Sequence, residues 1–117
     1  MNAPMLPSLD GRVFKLVSST TSAVDAEAPS VFRYREQDSL VWGDYAGDTV
    51  TIGRFVGSRE GDRIRISFAH VLVADGTVVT GAGESDLDFV DGRMRLLEHY
   101  TMNGSAQLSV CEEVLLD

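Results

Sequence analysis

GDRIRISFAHVLVADG, residues 61–76, reads as one β-strand held between two turns. Ile64, Ile66, Phe68, His70 and Leu72 lie two apart and share one face of an extended chain, while Arg63, Arg65 and Ser67 share the other. That alternation is expected of a sheet covered on one side only. Gly61-Asp62 and Asp75-Gly76 bound the run with residues that accept the positive φ angles of tight hairpins.

Outward from this strand the same punctuation recurs at Gln37-Asp38, Gly47-Asp48, Asp91-Gly92 and Asn103-Gly104. The intervals are rich in Val, Ile, Thr, Phe and Tyr, and no stripe of helical period runs through them. Strands are therefore expected over residues 12–20, 30–36, 39–46, 49–59, 63–73, 77–87, 93–101 and 105–115. Period-two reading groups Val50, Ile52, Arg54 and Val56, then Met94, Leu96, Glu98 and Tyr100, then Ala106, Leu108, Val110, Glu112 and Val114. With no helix to cover the apolar faces, the sheet must bury them against itself. The expected fold is all-β, a single antiparallel up-and-down meander closed into a lipocalin-like barrel of about 8 to 10 strands.

A chain of 117 residues fits one domain. Residues 1–9 hold two of the three prolines and no periodicity, so they read as a flexible N-terminal tail before a barrel domain over residues 10–117. Eighteen acidic residues against ten basic ones give a net charge of −8, which repels phosphate backbones and anionic lipid, so neither nucleic acid nor membrane is an expected partner. A single cysteine, Cys111, excludes an internal disulfide framework and reads as a small apolar strand residue. The start, MNAPMLPSLD, has neither the basic flank nor the apolar run of a secretory signal, and a cytoplasmic location is expected.

Closure brings the ends of the first, third, fifth and seventh strands to one mouth. Asp44 and Tyr45, His70, and Glu98, His99 and Tyr100 fall there, and residues 21–29, small and acidic, cross the same end as a loop or single helical turn and a candidate lid. Glu36, Arg54 or Arg59, Glu84 and Glu112 fall toward the other end, and Glu112 and Glu113, being adjacent, face opposite ways. Glu98 sits between Leu96 and Tyr100 on its face, where a carboxylate needs a partner or a raised pKa. It is either half of an ion pair with a neighbouring arginine or a functional group. His70 is either a hydrogen-bonded core residue or a ligand contact. Tyr34, Trp42, Tyr45 and Tyr100 complete the expected ligand-binding set, aromatic rings serving both packing and pocket walls.

Several chemistries lack support. Two histidines without a third ligand at diagnostic spacing do not make a metal site, and no metal or cofactor is expected. Thr80 to Ser85, TGAGES, is glycine-rich but flanked by strand, whereas a phosphate loop precedes a helix. Gly-x-Ser-x-Gly is absent, and Ser85 has no visible triad.

Tyr34, Tyr45-Ala46-Gly47, Gly53 and Gly57, Thr80-Gly81 with Ser85, Asp91-Gly92-Arg93 with Arg95-Leu96 and Glu98, and Glu112-Glu113 together form a pattern. Over Val31 to Val114 it resembles a family of small bacterial proteins often labelled N-acetylglutamate synthases, most specifically through DGRMRLLE. His99-Tyr100-Thr101-Met102 departs from the tryptophan-rich strand expected at that place. The resemblance implies a lipocalin-like or calycin-like barrel without established chemistry. Acetyl transfer is not expected, because the chain has no strand, glycine loop and helix unit to hold coenzyme A. The leading expectation is capture of a small, partly apolar ligand inside the barrel. The alternatives are a small enzyme with Glu98 or His70 as general acid or base, and a structural or interaction module forming homo-oligomers, a homodimer among them.

Overall fold

The computed structural model describes residues 7–20, 24, 25, 27–102 and 104–115. Eight strands follow in order: β1 (Val13–Ser19), β2 (Val31–Gln37), β3 (Leu40–Gly47), β4 (Val50–Glu60), β5 (Arg63–Leu72), β6 (Val78–Val90), β7 (Arg93–Met102) and β8 (Ser105–Glu113). Each pairs antiparallel with its neighbours in sequence, and β8 returns to β1, so the sheet closes and leaves no free edge. Gly61-Asp62 and Asp91-Gly92 connect their strands as expected, whereas the turns expected at Gln37-Asp38 and Gly47-Asp48 fall one residue later, at Asp38-Ser39 and Asp48-Thr49. Asp38 and Ser39 have φ of 52° and 65°, and Asp91 and Gly92 of 54° and 80°, the paired left-handed residues of a two-residue type I′ hairpin. Among the described residues no helix is long and apolar enough to cross a membrane.

The inward faces of β5 and β7 are those the alternation indicates: Ile64 and Ile66, Met94 and Leu96 are buried. Two other strands correct the sequence reading. In β4 the ladder shifts register between Val50 and Ile52. That bulge turns Val50 inward but Ile52, Arg54 and Val56 outward, leaving Gly53, Phe55 and Arg59 inside. In β8 the register sets Ser109 opposite Glu98 and Cys111 opposite Leu96. Ser109, Cys111 and Glu113 therefore point inward, and the set containing Leu108, Val110 and Glu112 faces out. Burial pushes the Cys111 thiol upward, with the nearby Glu98 charge adding, which keeps it an inert core group.

One end of the barrel is stoppered. Leu9 is fully buried and belongs to the core with Phe14, Tyr34, Val41 and Met94, although it falls within the expected N-terminal tail. Residues 1–6 of that tail lie outside the described residues. The plug is pinned by charge: Arg59, 1% exposed, donates to Glu36 (2.9 Å), to the Gly61 carbonyl (2.8 Å) and to the Pro7 carbonyl (2.9 Å). Glu36 in turn accepts the Leu9 N–H at 2.8 Å. Beside it Arg12 pairs with Glu113 at 2.6 Å, and Glu113 also accepts the Met94 N–H at 3.1 Å. Of the residues counted toward this end, Glu36 and Arg59 form the plug. Glu113 rather than Glu112 faces in, and Arg54 lies outside opposite Asp44.

Candidate functional site

The other end is open. A cavity of about 470 Å³ enters the barrel where β1, β3, β5 and β7 finish. Its size lies within the range of small-ligand pockets, roughly 300 to 1,000 Å³. Phe32, Tyr45, Phe55 and Phe68 form its apolar walls. Phe32 stacks on Tyr45 with centroids 4.8 Å apart, and the Phe68 and His70 rings lie parallel at 5.9 Å. Glycines on neighbouring strands make room for these groups. A Cβ on Gly53 would strike the Tyr45 ring, and one on Gly83 would stand 2.9 Å from a Glu98 carboxylate oxygen.

Polar groups enter the cavity at three places. Tyr45 Oη and His70 Nδ1 are 2.7 Å apart, the direction of the proton set by the imidazole tautomer. Burial lowers the proton affinity of His70, and burial with the Glu98 charge raises the Tyr45 phenol well above its usual range, so both are neutral at physiological pH. A second cluster spans β1, β7 and β8: Ser19 Oγ is 3.4 Å from Tyr100 Oη, and Ser109 Oγ approaches Tyr100 Oη at 3.3 Å and Ser19 Oγ at 3.4 Å. The third is Glu98, between Ser85 and Ser109 on the adjacent strands. Its carboxyl has no hydrogen bond or ion pair among the described residues, and burial raises its pKa.

Four of the six expected ligand-binding residues, Tyr45, His70, Glu98 and Tyr100, thus share one cavity. Tyr34 does not line it. That ring is buried in the core between Phe14 (5.3 Å, edge-on) and Phe55 (4.5 Å). Trp42 lies on the outer surface, 39% exposed, because Val41, Gly43 and Tyr45 take the inward positions of β3. His99 is also outside, 3.2 Å from Asp86. Among the described residues no group of three His, Cys, Asp or Glu side chains could hold a metal ion. Of the candidate lid, residues 21–23 and 26 lie outside the described residues, and Asp25 donates its N–H to Asp48 at 3.2 Å. The sequence reading missed Ser19, Ser109, Phe32 and Phe55. Their signal lay in strand register, since the pairing of β7 with β8 sets Ser109 opposite Glu98.

A model of the family described as avidin-like protein matches residues 7–114, from the start of the plug to the residue after β8. Nothing matches the chain among the curated proteins or the solved structures. The family match supports the calycin-type barrel that the DGRMRLLE resemblance implied, and gives the N-acetylglutamate synthase label no support. With the match spanning the plug and all eight strands of the closed meander, the chain belongs to the avidin-like proteins.

Proposed function

We propose that the protein binds a small, partly apolar molecule in the open end of its barrel. The observation that carries this reading is the cavity itself: aromatic walls, one closed end, and three separate polar groups at different points of its lining. Binding is favoured over catalysis because His70 is engaged by Tyr45, and no hydrogen bond among the described residues joins His70 to Glu98. Native mass spectrometry of freshly purified protein is expected to show a mass excess that disappears on denaturation. NMR should show Leu72 and Val79 methyl signals moving when small aromatic probes are added. No retained molecule and no methyl response would sink the reading.

The outer face supports a second, compatible role in self-association. Leu40, Trp42 and Val56 are exposed there, beside a shallow groove of about 500 Å³ floored by Ser67 and Ala82. Register aligns Trp42, Val56, Ser67 and Ala82 in one uncharged row across four strands, on a chain of net charge −8. A second copy applied about a two-fold axis would cover that row, with Arg65 and Glu84 of the groove beside it. Sedimentation velocity should show a dimer that Val56→Lys converts to monomer. A monomeric wild type at high micromolar concentration would exclude it.

A further inference from the structure

Three carboxylates reach the barrel interior among the described residues, and two of them are matched by arginine. Glu36 has Arg59 and Glu113 has Arg12, both at the stoppered end. Glu98 is the third, on the wall of the open cavity, and among the described residues no Lys or Arg lines that cavity. Nor do its strand neighbours supply a charge, since Ser85 and Ser109 stand opposite and Gly83 lies beneath it. A carboxylate removed from water without a countercharge is costly, and the cost falls when a cation or strong donor arrives. The chain supplies such a group to its other two internal acids and leaves this one facing the space where a ligand would sit.

Two further features favour a cation over a neutral donor. The net charge of −8 draws cations toward the molecule and repels anions. Tyr45, Phe55 and Phe68 line the same cavity and accept the apolar body of an organic cation. Neutral His70 adds no competing positive charge.

We infer that the ligand presents a cationic nitrogen, an amine or amidinium on an apolar body, to the Glu98 carboxylate, while the hydroxyls of Ser19, Tyr100 and Ser109 receive a second polar atom. This inference rests on the cavity reading above and assigns its ligand class. Phenethylamine, phenethyl alcohol and hydrocinnamate share a phenyl body and differ in the charge of the head. Each is titrated into methyl-labelled protein at mildly alkaline pH, wild type and Glu98→Gln, with the Leu72 and Val79 methyls as reporters. In wild type the amine should bind about tenfold or more tightly than the alcohol, and hydrocinnamate most weakly. In Glu98→Gln the amine should lose its preference, the ratio of its affinity to that of the alcohol falling from about tenfold to about one. Alcohol or acid binding as tightly as the amine in wild type would overturn the inference while leaving the cavity reading intact. So would an amine preference that survives in Glu98→Gln. If none of the three probes moves the methyls, the cavity reading fails, and this inference with it.

Discussion

Replacing Arg59 by Met tests what holds the stoppered end together. The native side chain is 1% exposed and donates to a carboxylate and two carbonyls, while Glu36, 13% exposed, loses the arginine paired with it when Arg59 is removed. Breaking a buried pair by deleting one partner typically costs about 3 to 5 kcal/mol, because the other charge is left uncompensated. Glu36 keeps the Leu9 N–H at 2.8 Å, which places the expected loss near the lower end of that range. A chain of this length has an unfolding entropy of roughly 0.25 kcal/mol/K, so the midpoint should fall by about 12 °C or somewhat more. Total stability is expected to be on the order of 6 to 18 kcal/mol, so the variant remains folded. Urea unfolding followed by circular dichroism measures the loss. Arg59→Met combined with Glu36→Gln is the decisive companion: the amide that replaces the carboxylate is neutral yet retains an oxygen for the Leu9 N–H, so most of the loss should return. A cost below about 1 kcal/mol for Arg59→Met, or a double variant whose loss equals the sum of the two single losses, would refute the pairing argument.

Glu98 yields a pH prediction of definite sign. Its folded pKa is raised, so in the window above the unfolded carboxylate value the native state holds more protons than the unfolded chain, and stability falls as pH rises through it. Glu98→Gln should remove that slope and stabilise the protein at alkaline pH by roughly 1 kcal/mol or more, read from urea curves across the acid-to-alkaline range. An unchanged slope would contradict it. Leu9→Ala should cost about 2 to 5 kcal/mol, since the side chain is fully buried, and a negligible effect would show that the plug does not seal the core. Gly53→Ala should cost about 1 to 3 kcal/mol by displacing the Tyr45 ring, and should weaken the Tyr45–His70 hydrogen bond. In NMR titration the His70 ring should protonate below the ordinary imidazole range, and titration at or above that range would refute its partial burial.

The barrel was legible because its strongest signals are local. A positive φ pair at Asp38-Ser39 or Asp91-Gly92 is dictated by the residues in the turn, and each such turn reverses the chain wherever the rest of it lies. Counting reversals then places Tyr45, His70, Glu98 and Tyr100 at one mouth, which is where the cavity opens. Which face of a strand points inward is less local. In β5 one face is charged and the other apolar, so period two decides the matter. In β8, Leu108 and Val110 are as apolar as the inward Cys111, and only pairing with β7 distinguishes the faces. The β4 bulge is harder still, because nothing in Val50-Thr51-Ile52 announces an extra residue, and the shift appears only against the β5 ladder. The family motif gains a physical reading in the same way. Asp91-Gly92 makes the turn, Arg95 locks to Asp88 through bonds of 2.9 and 2.7 Å on the outside, and further along the same strand, on the opposite face, Glu98 is delivered to the interior. The two-residue turn fixes the register of β6 against β7, which sets Asp88 opposite Arg95 on the outside and Ser85 opposite Glu98 within. A run that reads as a conventional charged hairpin therefore also places a serine, not an arginine, beside the one carboxylate that faces the cavity among the described residues.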